Sequence, residues 1–145
     1  MLLSKSSEYG IRASLYLAAR DAEKYTSVRQ IGEDLDISPT FLTKVFQELN
    51  EAGLVVSRRG AHGGVSLERE PKTITLYDIV VAIDGEAIFR DCVLGLPGCG
   101  EERPCPLHDT WVRQRDQIEL SFRRANLADV AEKTRASDFR LAAAT

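Results

Sequence analysis

Apolar side chains recur along this chain at two different periods, and each change of period marks a new element. In SSEYGIRASLYLAARD, Ile11, Leu15, Ala18 and Ala19 stand at helical spacing, which predicts a first helix capped by Ser4 or Ser7. In SVRQIGEDL, Val28, Ile31 and Leu35 form one face of a second helix, and Ser27 with Gln30 has the form of a capping box. SPTFLTKVFQELNEAG follows almost at once. There Ser38 is expected to cap, Pro39 occupies the first helical position, where its missing N–H costs nothing, and Gly53 stops the helix. Phe41, Leu42, Val45, Phe46 and Leu49 are expected inside; Thr40, Thr43, Lys44, Gln47, Glu48 and Asn50 are expected outside. The period then drops to that of short strands, 54–57 and 65–68, around a glycine-rich loop. TLYDIVVAI restores the helical period, with Thr75 and Asp78 as a box over Leu76, Ile79, Val80 and Ile83. Leu107, Trp111, Gln114, Ile118, Phe122 and Ala125 recur along a long charged helix at steps of four and three, a seam suited to another helix. NLADVAEK, capped by Asn126, predicts a last short helix, with fraying after about residue 134.

These elements predict a mainly α fold with a small β wing: a winged helix-turn-helix plus a long dimerisation helix. The expected organisation is a winged head over 1–83, a cysteine loop over 84–108, the dimerisation helix and short terminal helix over 109–132, and a tail over 133–145. Such a head presents double-stranded DNA with Ser38, Pro39, Thr40, Thr43, Lys44 and Gln47 on the second helix of the motif. The wing adds Arg58, Arg59, Gly60, His62, Gly63 and Gly64: arginines for phosphate or minor-groove contacts, glycines for positive φ and close approach. Glu48 and Glu51 count slightly against DNA, although a carboxylate can accept from cytosine.

Composition changes this picture little. The chain of 145 residues is 43% hydrophobic and 28% charged, as for an ordinary soluble domain. A net charge of −3 argues against non-specific coating of nucleic acid, so the basic patch is local. No stretch has the length of a signal peptide's apolar region or a membrane span, so a cytoplasmic protein without a membrane partner is expected. With no phosphate-binding glycine loop before a helix, no nucleophile elbow and no paired histidines, an enzyme is not expected.

The cysteines change it more. All three fall within CVLGLPGCGEERPCPLH, where gaps of six, five and two residues separate Cys92, Cys99, Cys105 and His108. Clustered thiols in a reducing compartment point to metal or redox chemistry. Thiolates suit iron–sulfur clusters and also zinc. Three-cysteine, one-histidine zinc fingers that bind RNA stack bases on aromatics among basic residues, whereas this loop carries Glu101 and Glu102 and no aromatic, so an iron–sulfur cluster is preferred. The rival reading is a zinc-stabilised winged-helix adaptor that binds proteins and not DNA. Glu8 sits where an acid favours the positive end of a helix dipole.

SKSSEYGIRASLYLA, RRGAHGGVSL, LYDIVVAIDGE and the three cysteines before a long helix together resemble the Rrf2 family of bacterial winged-helix regulators, over about residues 1–132. The resemblance implies a homodimeric transcription factor, in most cases a repressor, that senses redox state, nitric oxide or iron–sulfur status. It implies a cluster on Cys92, Cys99 and Cys105, with 2Fe-2S favoured over 4Fe-4S, and easily lost in air. In IscR-like members a histidine three positions after the last cysteine completes the site, the place of His108. In NsrR-like members an acid at the start of helix one, from the other subunit, does so, the place of Glu8. Both are present and the first cysteine gap is one residue longer than in IscR-like members, so the resemblance leaves the fourth ligand open.

Overall fold

The computed structural model describes residues 2–20, 24–100, 102–136 and 140–142. Helix α1 spans Lys5–Ala18, α2 Val28–Leu35 and α3 Pro39–Glu51; strands β1, Val55–Arg58, and β2, Gly64–Leu67, follow. A 3-10 turn at Pro71–Thr73 leads to α4, Leu76–Asp84, a single-turn α5, Ala87–Arg90, the long α6, His108–Arg124, and α7, Leu127–Ala136. The mainly α architecture with a two-stranded wing is the expected one, with each strand displaced by one residue. The short α5 and the 3-10 turn were not foreseen. Glu101 and part of the tail lie outside the described residues.

Side-chain caps start α1, α2 and α4. Ser4, not Ser7, caps α1, its Oγ accepting from the Ser7 N–H at 3.1 Å. Both serine hydroxyls donate to Asp84, each at 2.7 Å, which fastens the start of α1 to the end of α4. The box at α2 is half made: Ser27 accepts from the Gln30 N–H, but the Gln30 amide turns to Asp34 at 2.9 Å. Ser38 makes no side-chain cap at α3. At α4 both arms of the Thr75–Asp78 box form. The turn between α2 and α3 bends through Asp36 in the left-handed region, φ 55°, a conformation that the short acidic side chain tolerates.

The main core joins α1, α2, α3 and the wing through fully buried residues such as Ala13, Ile31, Leu42 and Leu49. It also takes in Leu127 and Ala131, so α7 packs back onto the head. The Leu76 N–H to Ala125 carbonyl and Leu127 N–H to Ile74 carbonyl bonds, both 2.9 Å, hold its entry. A second, smaller core gathers Tyr77 and Val80 of α4 with Phe89 of α5. Phe122 meets Phe89 edge-on at 5.8 Å and Ile118 packs beside it. Two residues of the expected intermolecular seam are therefore used within the chain.

The wing is antiparallel, with Val55 opposite Leu67 and Arg58 opposite Gly64. A bridge between Thr26 and Val65 pins it to the segment before α2. Gly64 has φ +144°, and a Cβ there would strike the Thr26 carbonyl; at Gly63 it would strike that of Arg58. Both glycines are required by the hairpin itself: Gly64 has the positive φ expected of the wing glycines, and the close approach at Gly63 and Gly64 is to the chain's own backbone. No helix among the described residues is long and apolar enough to cross a membrane.

Candidate functional site

The motif built by α2 and α3 leaves one face of α3 in solvent. Ser38, Pro39, Thr40, Thr43, Lys44 and Gln47 are all exposed there, with Thr43 Oγ1 bonded back to the Pro39 carbonyl at 2.9 Å. Glu48, expected outside with them, is half-buried, and its Oε2 is shut from solvent with no hydrogen-bond partner. Asn50 also departs from the outward set in role, donating to the Val55 carbonyl at 3.0 Å and so tying α3 to the wing. Arg58, Arg59, Gly60 and His62 line the exposed hairpin, and the Arg58 guanidinium lies 5.8 Å from the centre of the Tyr25 ring. Among the described residues Lys44, Arg58 and Arg59 form no ion pair, which leaves their charge available to an external anion.

The second cluster of chemistry lies between α5 and α6. Cys92 is buried; Cys99 and Cys105 are half-buried. Backbone N–H groups, that of Leu94 foremost, with smaller help from the neighbouring thiols of Cys105 and Cys99, hold the Cys92 thiol below its ordinary range. The Leu107 N–H draws Cys105 down, but burial and the neighbouring sulfurs of Cys92 and Cys99 together leave it raised. His108 opens α6 instead of ending the loop, and its Nδ1 stands 3.6 Å from Cys99 Sγ. Of these donors, Cys99 and His108 meet directly. Glu8 is elsewhere: it pairs with Lys5 at 2.8 Å, and nothing joins it to the cysteines of its own chain. Among the described residues no three donors are set to hold a metal ion as they stand. Three thiols and an imidazole are nonetheless the donor chemistry of an iron–sulfur cluster, whose ligands are shared between irons and need not meet at one point.

The family profile described as the iron-dependent transcriptional regulator Rrf2 matches residues 3–133 of this sequence. The chain belongs to the Rrf2 family. Among Rrf2 relatives, the HTH-type regulator CymR of Bacillus subtilis is 31% identical over 134 residues, 92% of this chain and 92% of that protein. The NsrR regulator of Shouchella clausii is 34% identical over 92 residues, 63% of this chain and 62% of its own. The solved structure of T. potens IscR superposes with a TM-score of 0.77 at 27% identity, covering 95% of this chain and 91% of that one. That of CymR, titled the global cysteine regulator of B. subtilis, gives 0.76 at 29% identity over 90% and 96%. These Rrf2 relatives are transcriptional regulators, not enzymes.

Three residues of this Rrf2 chain escaped the sequence reading. Asp84 ties two helices of the head together. Tyr25 backs Arg58. Arg115 is only 9% exposed and lies under the cysteine loop. An arginine in a run such as RQRDQ looks like part of a solvated face, and no local signal marks this one as different.

Proposed function

We propose that this chain is a homodimeric, DNA-binding transcriptional regulator whose affinity for its operator is set by an iron–sulfur cluster on Cys92, Cys99 and Cys105. The observation that carries the reading is that all three cysteines lie in the loop between α5 and α6, where Cys99 Sγ stands 3.6 Å from Nδ1 of His108 at the start of α6. His108 is the fourth ligand this reading favours, because it already touches Cys99, with Glu8 of a second subunit as the alternative. When bound, the cluster supplies a centre that reacts with oxidants or nitric oxide and is easily lost, the more so with a non-cysteine ligand.

The chain's own residues do the rest. The exposed face from Thr40 to Gln47 enters the major groove, and Arg58, Arg59 and His62 meet the phosphates or the minor groove. Gly63 and Gly64 shape the wing that carries them. A dimer must hold its two reading helices about 34 Å apart to reach successive major grooves. Second-copy contacts are assigned to α6 and the loop, where the exposed apolar residues Leu94, Leu96, Leu107 and Leu120 stand. The loop is framed by α5 and α6, and Phe89 and Arg90 of α5 fix that frame to α4 and α6. A change in how the loop holds together therefore bears on the angle between head and dimer helix.

Single replacements Cys92→Ala, Cys99→Ala and Cys105→Ala test the assignment. Anaerobically purified wild type should show visible absorbance with matching iron and sulfide, and each variant should lose it while staying folded. Full colour in all three variants would overturn the cluster. Colourless wild type with one zinc per chain would favour the adaptor.

A further inference from the structure

We propose that Arg115 is a positioning residue for the cysteine site: it supplies the positive charge that faces the Cys99 sulfur and so sets the reduction potential of a cluster held there. This rests on the iron–sulfur reading above.

Burying a cation is unfavourable unless negative charge comes with it. Arg115 is 9% exposed, and among the described residues no carboxylate lies in ion-pair range of it. Its Nη1 donates to the Arg90 carbonyl at 2.7 Å and contacts the Asp91 carbonyl at 3.3 Å, dipoles that orient the guanidinium without neutralising it. The same nitrogen lies 3.5 Å from Cys99 Sγ. Its Nε is shut from solvent with no acceptor at all. An oriented, uncompensated cation with a donor in reserve thus stands against one sulfur of the trio. A negatively charged sulfur at Cys99 would supply the missing counter-charge. Lys24 and other surface cations make no comparable approach, being exposed.

A fixed positive charge favours the more negative state of a redox group, so Arg115 should raise the potential. The test is a spectroelectrochemical titration of anaerobically reconstituted wild type, Arg115→Gln and Arg115→Lys, with iron and sulfide counted in each. Arg115→Gln keeps a donor for the carbonyls and removes the charge. Its reduction equilibrium should become less favourable by about tenfold or more, 59 mV for one electron. Arg115→Lys, which keeps the charge, should stay nearer to wild type. Loaded Arg115→Gln at the wild-type potential overturns the proposal, as does an Arg115→Lys shift as large as that of Arg115→Gln. Should Arg115→Gln not fold, Arg115→Met, which also removes the charge, takes its place in the same comparison. Wild type that takes up no iron and sulfide overturns the cluster reading as well, and so is told apart from failure of Arg115 alone.

Discussion

Ser27 and Ser38 show how one residue type at one helical position can do different work. Ser27 Oγ satisfies the Gln30 N–H at 3.1 Å, whereas Ser38 satisfies no backbone N–H of α3 and is exposed on the face proposed for DNA. Ser27→Ala should therefore cost about 1 kcal/mol of stability and Ser38→Ala no more than about 0.5 kcal/mol. Urea denaturation of the two variants checks this, and equal losses would contradict the assignment. The cysteines, His108 and the exposed side chains of α3 could be nominated from residue type and spacing, because their chemistry is local. Arg115 could not. Its burial depends on the loop folding back over α6, a contact 16 residues away from Cys99 in sequence. Glu48 was misplaced too: its helical phase points outward, but its Oε2 is shut from solvent in the fold.

Among the elements, period and caps located the major helices well, since a 3.6-residue stripe is a property of each segment alone. The single turn α5 has too few residues to show a stripe, yet it joins α4 of the head to α6. Arg90 bonds Glu119 of α6 at 2.7 Å, and Arg123 bonds the same carboxylate at 2.9 Å. The Arg90 hydrogen bond, ahead of the Arg123 pair, holds Glu119 below its ordinary pKa of 4.5. A depressed carboxylate stabilises the fold above its unfolded pKa, and that contribution is lost as pH falls through the folded value. Glu119→Gln should thus lower Tm at pH 7, by an amount that reflects under about 1 kcal/mol, since Arg90 is half exposed. The deficit should shrink on acidification through the carboxylate range. A deficit that is constant from neutral to strongly acid pH would mean that packing, not the ion pair, is lost.

For the whole molecule, the sequence conveys a head and a long helix but not how they are joined. Ile118 and Phe122 sit in a regular seam, and only the fold reveals that they pack on Phe89 of their own chain, leaving Leu107 and Leu120 in solvent. Likewise α7, grouped from the sequence with the long helix over 109–132, is part of the head's core through Leu127 and Ala131. The cysteine loop therefore lies between α5 and α6, beside the small core through which α6 packs on α4, and the proposal is that a change in the loop alters the angle of α6 to the head. The direct test is one titration performed twice. A duplex selected from a random-sequence pool by the anaerobic protein is titrated with cluster-loaded protein and with the same protein stripped of iron. The account predicts Kd values that differ by about tenfold or more, a coupling of about 1.4 kcal/mol. Equal affinity of the two forms, or selection of no duplex by either, would contradict it.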